Sequence, residues 1–512
     1  MEQVSESIDW QATVQVFRDH HRSNTLPGFH GDRFTEEGAE WWQAQLVGWI
    51  PQRAIPSFAP KGSAGFRPTP VIPFGDLLLL QGLADAFQRR LDVPDSRSTW
   101  GRIQRFEREP LERGFEFIGV TDIAKCFDYI DHGLLHRELV WQTGMNAEAE
   151  AVTKVARSLS GLNYGLPQTY HASFFFAEVV LSRLETALRR QGVDAVRFVD
   201  DFLLRGSSFD HLSRALVKLE LLCRERGLSL NADKTYRFAA NRYRARQLAK
   251  GKHLAPIVQA RNDLLDALEA AEVADDLNED YATFSDYLGS IDDSTAERDA
   301  IRELDVEETR SAAIGSATDL LSRWVGLVEE NDPEASSFSY KTALSEALHI
   351  LWLTDAPHGL VFSFPVLLEA PQLTPQLFSY LRDVWDDGGA DVVERIADAV
   401  LRDRLYLTGV QLAQLFTAIW KVGELPERTV ELCRWGLEVC PEPLVSVFSA
   451  RPLVHNGLLS SDAVVRLYEG SPGPLRQEVA WLASVYMSES PQIQDLVLRD
   501  APYAQFFFRE PN

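Results

Sequence analysis

Residues 197–206 read RFVDDFLLRG. Two adjacent carboxylates interrupt an apolar, β-prone run, and burying such charges without compensation is costly. An extended chain places Val196, Phe198 and Asp200 on one side and Arg197, Val199 and Asp201 on the other. Phe202-Leu203-Leu204 then resumes the apolar run. The pattern predicts a strand, a tight turn and a second strand, with Asp200 and Asp201 at the tip. Asp275-Asp276, Asp292-Asp293 and Asp386-Asp387 also occur. Their flanks predict solvated helix faces or turns, so context alone singles out residues 200–201.

The surrounding chain is long enough for two to four domains: 512 residues, 45% apolar and 25% charged. MEQVSESIDW has neither the basic start nor the apolar core of a signal peptide. No charge-free apolar stretch reaches membrane-spanning length. A cytoplasmic protein with no membrane partner is expected. Cys126, Cys223, Cys433 and Cys440 lack metal-type spacing and predict reduced, mostly buried thiols.

The net charge of −24 is unevenly spread. Residues 1–250 hold 32 Lys+Arg and 31 Asp+Glu, leaving 19 of the 51 basic and 44 of the 75 acidic residues for 251–512. The first half is therefore neutral enough to meet nucleic acid. Its densest basic segment, RFAANRYRARQLAKGK at 237–252, has interleaved aromatics that suit a phosphate backbone, or forms a solvated basic helix.

Residues 1–50 predict a helical extension with the pair Trp41-Trp42. The Pro- and Gly-rich stretch 51–73 predicts loops and short strands. Helices are expected at 74–91, 171–190 and 211–227, and strands at 115–123 and 228–231. From about 255 the texture changes. Leu344, Leu348 and Leu351 recur at helical spacing, as do Leu377, Leu381 and Val384, and Val392, Ile396 and Val400. Thr374-Pro375 reads as an N-cap and first turn, and Ser461 and Gly470 bracket a short helix. A helical array of stacked pairs is expected over 255–512, without a strict sequence period.

Other motifs accompany the Asp-Asp hairpin. KGSAGFRPTPVIP at 61–73 carries Lys61 and Arg67. GVTDIAKCFDYIDH at 119–132 ends an apolar run on Asp122, with Phe127 five residues later. GLPQTYHASFFFAEVVL at 165–181 carries Gln168 and Ser173. LSLNADKTY at 228–236 carries Lys234.

In this order the motifs resemble those of the reverse transcriptases. The resemblance covers about residues 61–236 and rests on five motifs in sequence. It implies an α+β right-hand polymerase with fingers at 51–118 and a palm at 119–254. The helical extension at 1–50 precedes them and an all-α, HEAT-like helical domain at 255–512 follows. It implies nucleotidyl transfer with two Mg²⁺ ions, or Mn²⁺ in their place, since hard cations take carboxylate and phosphate oxygens. By the resemblance, Asp122 and Asp200 bridge the ions and Asp201 supports them, with Ile123 also in the metal set.

The resemblance further gives Lys61 and Arg67 to the incoming triphosphate, and Arg suits bidentate phosphate contact. Phe127 lies under the sugar and excludes a 2′-hydroxyl, so dNTPs are the substrates and DNA the product. Gln168 and Ser173 line the nucleotide pocket, and Lys234 serves the leaving pyrophosphate. Without the resemblance, Lys61, Arg67 and Lys234 are ordinary exposed cations and Phe127 is core packing.

Two positions depart from the family pattern. Thr169, followed by Tyr170 and His171, replaces the usual glycine, and Phe198 replaces the usual tyrosine. Side-chain bulk at 169–171 is expected to crowd the template. The helical second half and missing thumb look like the bacterial abortive-infection and defence-associated reverse transcriptases. That likeness implies an oligomeric polymerase of antiphage defence. Its DNA is primed by a protein hydroxyl, is made without a template and stays covalently attached, or copies an associated non-coding RNA. The non-enzymatic alternative is a helical scaffold with a relic core.

Overall fold

The computed structural model describes residues 2–13, 49–62, 65–91, 115–270, 307–336, 338–420, 422–487 and 490–494. They are mostly helical, with two small antiparallel sheets. Trp41-Trp42, most of the expected N-terminal extension, Asp275-Asp276 and Asp292-Asp293 lie outside the described residues. The chain divides into two compact units. The first takes described residues 2–13, 49–55, 72–91 and 115–248, and the second takes the remainder. The division near 248 is close to the expected domain end at 254. The hairpin of β1 (Phe58–Gly62) and β2 (Gly65–Pro68), expected in the fingers, groups with the second unit.

The first unit is built on a four-stranded antiparallel sheet. Its strands are β3 (Phe117–Asp122), β4 (Asp194–Phe198), β5 (Asp201–Gly206) and β6 (Tyr236–Ala239), in the order β4-β5-β3-β6. β4 and β5 form the expected hairpin. β5 is buried from Phe202 to Gly206, as its apolar run requires. The expected strand at 228–231 is reduced to a single bridge, Ile123 with Leu230.

The helices of this unit are α1 (Glu2–Ser7), α2 (Phe74–Gln88), α3 (Cys126–Tyr129), α4 (His132–Thr143), α5 (Asn146–Ser160), α6 (His171–Arg190) and α7 (Phe209–Arg224). α6 packs on α2 and β4, while α7 packs on β3 and β5. Ser208 starts α7 by accepting a hydrogen bond from the His211 amide at 3.0 Å. Gly119 and Gly206 let this helix lie close. A Cβ on either would come within 3.6 Å of Leu212. α8 (Ala240–Ala270) carries the basic segment from residue 240 on, and its residues from 249 group with the second unit.

The second unit holds the β1–β2 hairpin and a helical array. Its helices continue with α9 (Glu307–Glu329), α10 (Phe338–Leu353), α11 (Ser363–Glu369), α12 (Thr374–Asp383), α13 (Ala390–Leu401) and α14 (Gly409–Ala418). Then follow α15 (Glu427–Glu438), α16 (Pro443–His455), α17 (Ser461–Gly470) and α18 (Gly473–Tyr486). α10, α12, α14, α16 and α18 pack in succession, and α13 packs on α15. Alternate helices therefore stack, as in an array of helix pairs. All nine apolar residues chosen by spacing, from Leu344 to Val400, are buried.

Two expected caps differ. Thr374 has helical φ/ψ and follows a 3₁₀ turn, Pro371–Leu373, whose Pro371 carbonyl accepts from its hydroxyl. Ser460 rather than Ser461 caps α17. Asp386 and Asp387 are exposed at a kink containing Gly388. All four cysteines are free, and only Cys440 is not fully buried. Among the described residues no helix is long and apolar enough to cross a membrane.

Candidate active site

The end of β3 and the β4–β5 turn bring the three expected aspartates together. Asp122 closes β3 and pairs in register with Asp201 of β5. Phe198 pairs with the same Asp201, which leaves Val199 and Asp200 as a two-residue turn. The Ile123 amide donates to the Asp200 carbonyl at 3.1 Å and ties that turn to the strand end. Asp122 is buried, Asp200 half-buried and Asp201 exposed. The side chain of Ile123 is buried and apolar, so only its main-chain carbonyl offers an oxygen.

Lys234 joins them from a short 3₁₀ turn, Ala232–Lys234, capped by the Asn231 side chain. Its Nζ donates to Asp122 Oδ2 at 2.7 Å. Burial opposes the ammonium charge. The hydrogen bond to Asp122, with the charges of Asp122, Asp201 and Asp200, outweighs it and raises the lysine pKa. This one cation therefore senses all three carboxylates. The Asn231 amide donates to the Asp122 carbonyl at 2.8 Å, and Thr121 and Thr235 hydroxyls meet at 2.7 Å. The strand end and the lysine turn are thus held together.

The residues expected to line the nucleotide lie on the segments that follow β3 and lead into α6. Lys125, with φ +47°, turns the chain from β3 into α3. Phe127 is buried there, edge-on to Phe174 at 5.1 Å between centroids. The Leu166 amide donates to the Phe127 carbonyl, and Gln168 Nε2 donates to Asp128 Oδ1 at 2.8 Å. Ser173 is fully buried in the first turn of α6, and its hydroxyl has no hydrogen-bond partner. Burial and the charge of Asp200 push the Cys126 thiol far up, which keeps it in the neutral form.

Thr169 has φ +75°. This is the left-handed region that glycine enters freely and a β-branched residue resists. Thr169 therefore holds a backbone form that glycine would adopt more easily, with its hydroxyl donating to the Gln168 carbonyl at 2.5 Å. The expected crowding by Tyr170 and His171 takes a different form. Tyr170 is buried and hydrogen-bonded to the Ile72 backbone, while His171 Nδ1 lies 3.2 Å from Gln81 of α2. Tyr170 is thus held against the segment before α2, and the half-buried His171 against α2 itself.

Lys61 and Arg67 are exposed on the hairpin of the second unit; Arg67 pairs with Ala59, and Lys61 lies at a register shift. Asp122, Asp200 and Asp201 thus lie at one end of the sheet with Lys234 bonded to Asp122, and Phe127, Gln168 and Ser173 follow on adjoining segments.

Arg197 is the residue that sequence reading missed. Its side chain is 3% exposed. It donates to the Val199 carbonyl at 2.6 Å and to both carboxylate oxygens of Glu178 on α6. Val199 has φ +52°, a strained state for a β-branched residue that costs of order 1–3 kcal/mol. An arginine beside two aspartates gives no local sign that its partner lies on another element.

The donor set suits a hard cation: carboxylate oxygens, among them a buried Asp122 Oδ1 with no hydrogen-bond partner. Among the described residues no three acidic, imidazole or thiol groups converge as a formed metal cluster. No protein-family model matches the chain, and no curated protein matches it.

Proposed function

We propose that the chain is a reverse-transcriptase-like DNA polymerase acting in bacterial antiphage defence. The observation that carries this reading is the meeting of Asp122, Asp200, Asp201 and Lys234 at one end of an antiparallel sheet. These residues come from three separate motifs in the order of the family. In the reaction, a hydroxyl gives up its proton to solvent as its oxygen bonds to the α-phosphorus of a dNTP, and the bond from that phosphorus to the α–β bridging oxygen breaks. Pyrophosphate leaves. Asp122 and Asp200, with Asp201 and the Ile123 carbonyl, would hold two Mg²⁺ or Mn²⁺ ions, and such ions would supply the charge that activates the attacking oxygen and stabilises the leaving one. Lys234 gives a proton or its charge to the pyrophosphate. Phe127 selects the deoxyribose and Gln168 orients the nucleotide from its Asp128 support. Lys61 and Arg67 are assigned to the triphosphate.

The alternate stacking in the second unit supports a HEAT-like domain, and with it the defence-associated group and an oligomer. Protein priming, with DNA left attached to a hydroxyl, is the first form of this proposal. RNA-templated copying is the second. The burial of Tyr170 and the contact of the half-buried His171 with Gln81 favour it, because both rings are engaged within this unit.

The test is incorporation of labelled dNTPs by the purified protein with Mg²⁺ and no added primer or template. Asp200→Ala and Asp201→Ala run beside it. Aspartate-dependent DNA that enters a gel only after protease treatment is expected for protein priming. Loss of synthesis after RNase pretreatment points to an RNA template. Silence of folded protein even with a primed RNA template overturns the polymerase reading.

A further inference from the structure

We propose that Arg197 is a positioning residue that locks the Val199–Asp200 turn, and with it the Asp200 carboxylate, to helix α6. The role of Asp200 rests on the polymerase reading; the lock itself does not. Three contacts converge on one buried guanidinium. The Val199 carbonyl accepts at 2.6 Å, Glu178 accepts at two oxygens, and Glu185 Oε2 lies 4.0 Å from Nε, an ion-pair distance. The planar fork of an arginine binds both oxygens of a carboxylate while also donating to a carbonyl, a bidentate geometry that the compact ammonium of a lysine does not match. The turn needs such a clamp because Val199 occupies the left-handed region at φ +52°. Released, a valine relaxes towards negative φ and carries the adjacent Asp200 with it.

α6 is the helix that begins at the Gln168–Ser173 segment. The Arg197–Glu178 pair therefore links two parts of the candidate site through one helix. A carboxylate displaced by about 1 Å costs on the order of 100-fold in rate, so the lock governs chemistry without touching substrate.

The test compares wild type, Arg197→Gln, Arg197→Lys, Val199→Gly and the double variant Arg197→Gln/Val199→Gly. Three readouts are taken on the full chain: Mn²⁺ affinity by electron paramagnetic resonance, dNTP incorporation, and amide exchange of the peptide containing residues 198–204. Arg197→Gln should speed exchange at the turn, weaken Mn²⁺ binding and slow incorporation by about 10–100-fold. Arg197→Lys should restore little. Glycine accepts φ +52° unaided, so the loss on removing Arg197 should be several-fold smaller in the Val199→Gly background. An equal loss in both backgrounds, or unchanged turn exchange in Arg197→Gln, overturns the lock. If wild type neither binds Mn²⁺ nor incorporates nucleotide, the polymerase reading fails while the exchange arms still decide the lock. A folding defect alone would spread faster exchange through the unit and would not respond to glycine at 199.

Discussion

Lys234 and Asp122, 112 residues apart in sequence, are joined by a 2.7 Å hydrogen bond between Nζ and Oδ2. This single bond ties the expected leaving-group lysine to the first expected metal carboxylate. Its cation also offsets part of the charge of Asp200 and Asp201.

The ammonium and a divalent ion draw on the same carboxylate. Lys234→Met should therefore tighten Mn²⁺ binding by roughly 2–5-fold, the upper part of the range of a partly solvated ion pair. It should still slow incorporation by about 100-fold if the lysine assists pyrophosphate departure. Metal titration and single-turnover incorporation separate the two effects. Because the folded-state pKa of Lys234 is raised, its ion pair persists through neutral pH and is lost only as pH climbs past the ordinary lysine range. Weaker Mn²⁺ binding in Lys234→Met would instead mean that the lysine organises the carboxylates.

Thr169 stands where glycine would be unstrained. Its φ of +75° disfavours a β-branched side chain by about 1 kcal/mol or more. Thr169→Gly should raise the unfolding midpoint of the first unit, less the entropy that glycine adds to the unfolded chain. Incorporation should be kept or improved, because Gln168 retains its bond to Asp128. Denaturant unfolding of the two proteins, followed by exchange in residues 165–175, measures the change. A lower midpoint would show that the Thr169 hydroxyl bond outweighs the strain.

What was legible in the sequence was local. The hairpin followed from apolar flanks around Asp200-Asp201, and the end of β3 from the run closing on Asp122. The nine buried positions between 344 and 400 followed from helical spacing. What stayed hidden depends on distant partners or on backbone angles that no residue type announces. Val199 and Thr169 are β-branched, so nothing in their identity signals positive φ. Arg197 finds Glu178 only after α6 packs on β4. The β1–β2 hairpin joins the helical unit through contacts of β1 with α14 and the Pro371–Leu373 turn. The bulk at Tyr170 and His171 was visible, but its direction depended on α2.

Asp76 supplies a pH dependence. It is fully buried, accepts from Trp49 Nε1 at 2.6 Å and from the Gln52 amide at 2.9 Å, and anchors residues 49–52 to α2. Burial outweighs both hydrogen bonds and pushes its pKa from 3.8 up to about 6. The folded state thus holds this proton more tightly than the unfolded chain does. The resulting stability is full below pH 3.8 and is lost as pH rises through about 6, at roughly 1.4 kcal/mol per unit between. Unfolding of the first unit measured from pH 4 to 7 should contain this decline, and Asp76→Asn should lack it. An identical slope in both proteins would place the proton elsewhere.

The second unit contains a buried ion pair, Arg451 with Glu478, whose side chains are 1% and 3% exposed. The guanidinium lies 4.1 Å from the Phe448 ring centroid and near Trp420 and Trp481, and also donates to Thr417. Burial pushes the Glu478 carboxyl up against the pull of Arg451, so much of the attraction between them offsets desolvation. Removing one charge leaves the other buried and unmatched. Glu478→Leu and Arg451→Met should each destabilise this unit by about 3–5 kcal/mol. The double variant should recover most of that loss, since apolar side chains of similar volume fit among the aromatics without stranding a charge. Denaturant unfolding of the four proteins closes a double-mutant cycle. Additive losses in the double variant would mean that Arg451 acts chiefly through Thr417 and the rings rather than through Glu478.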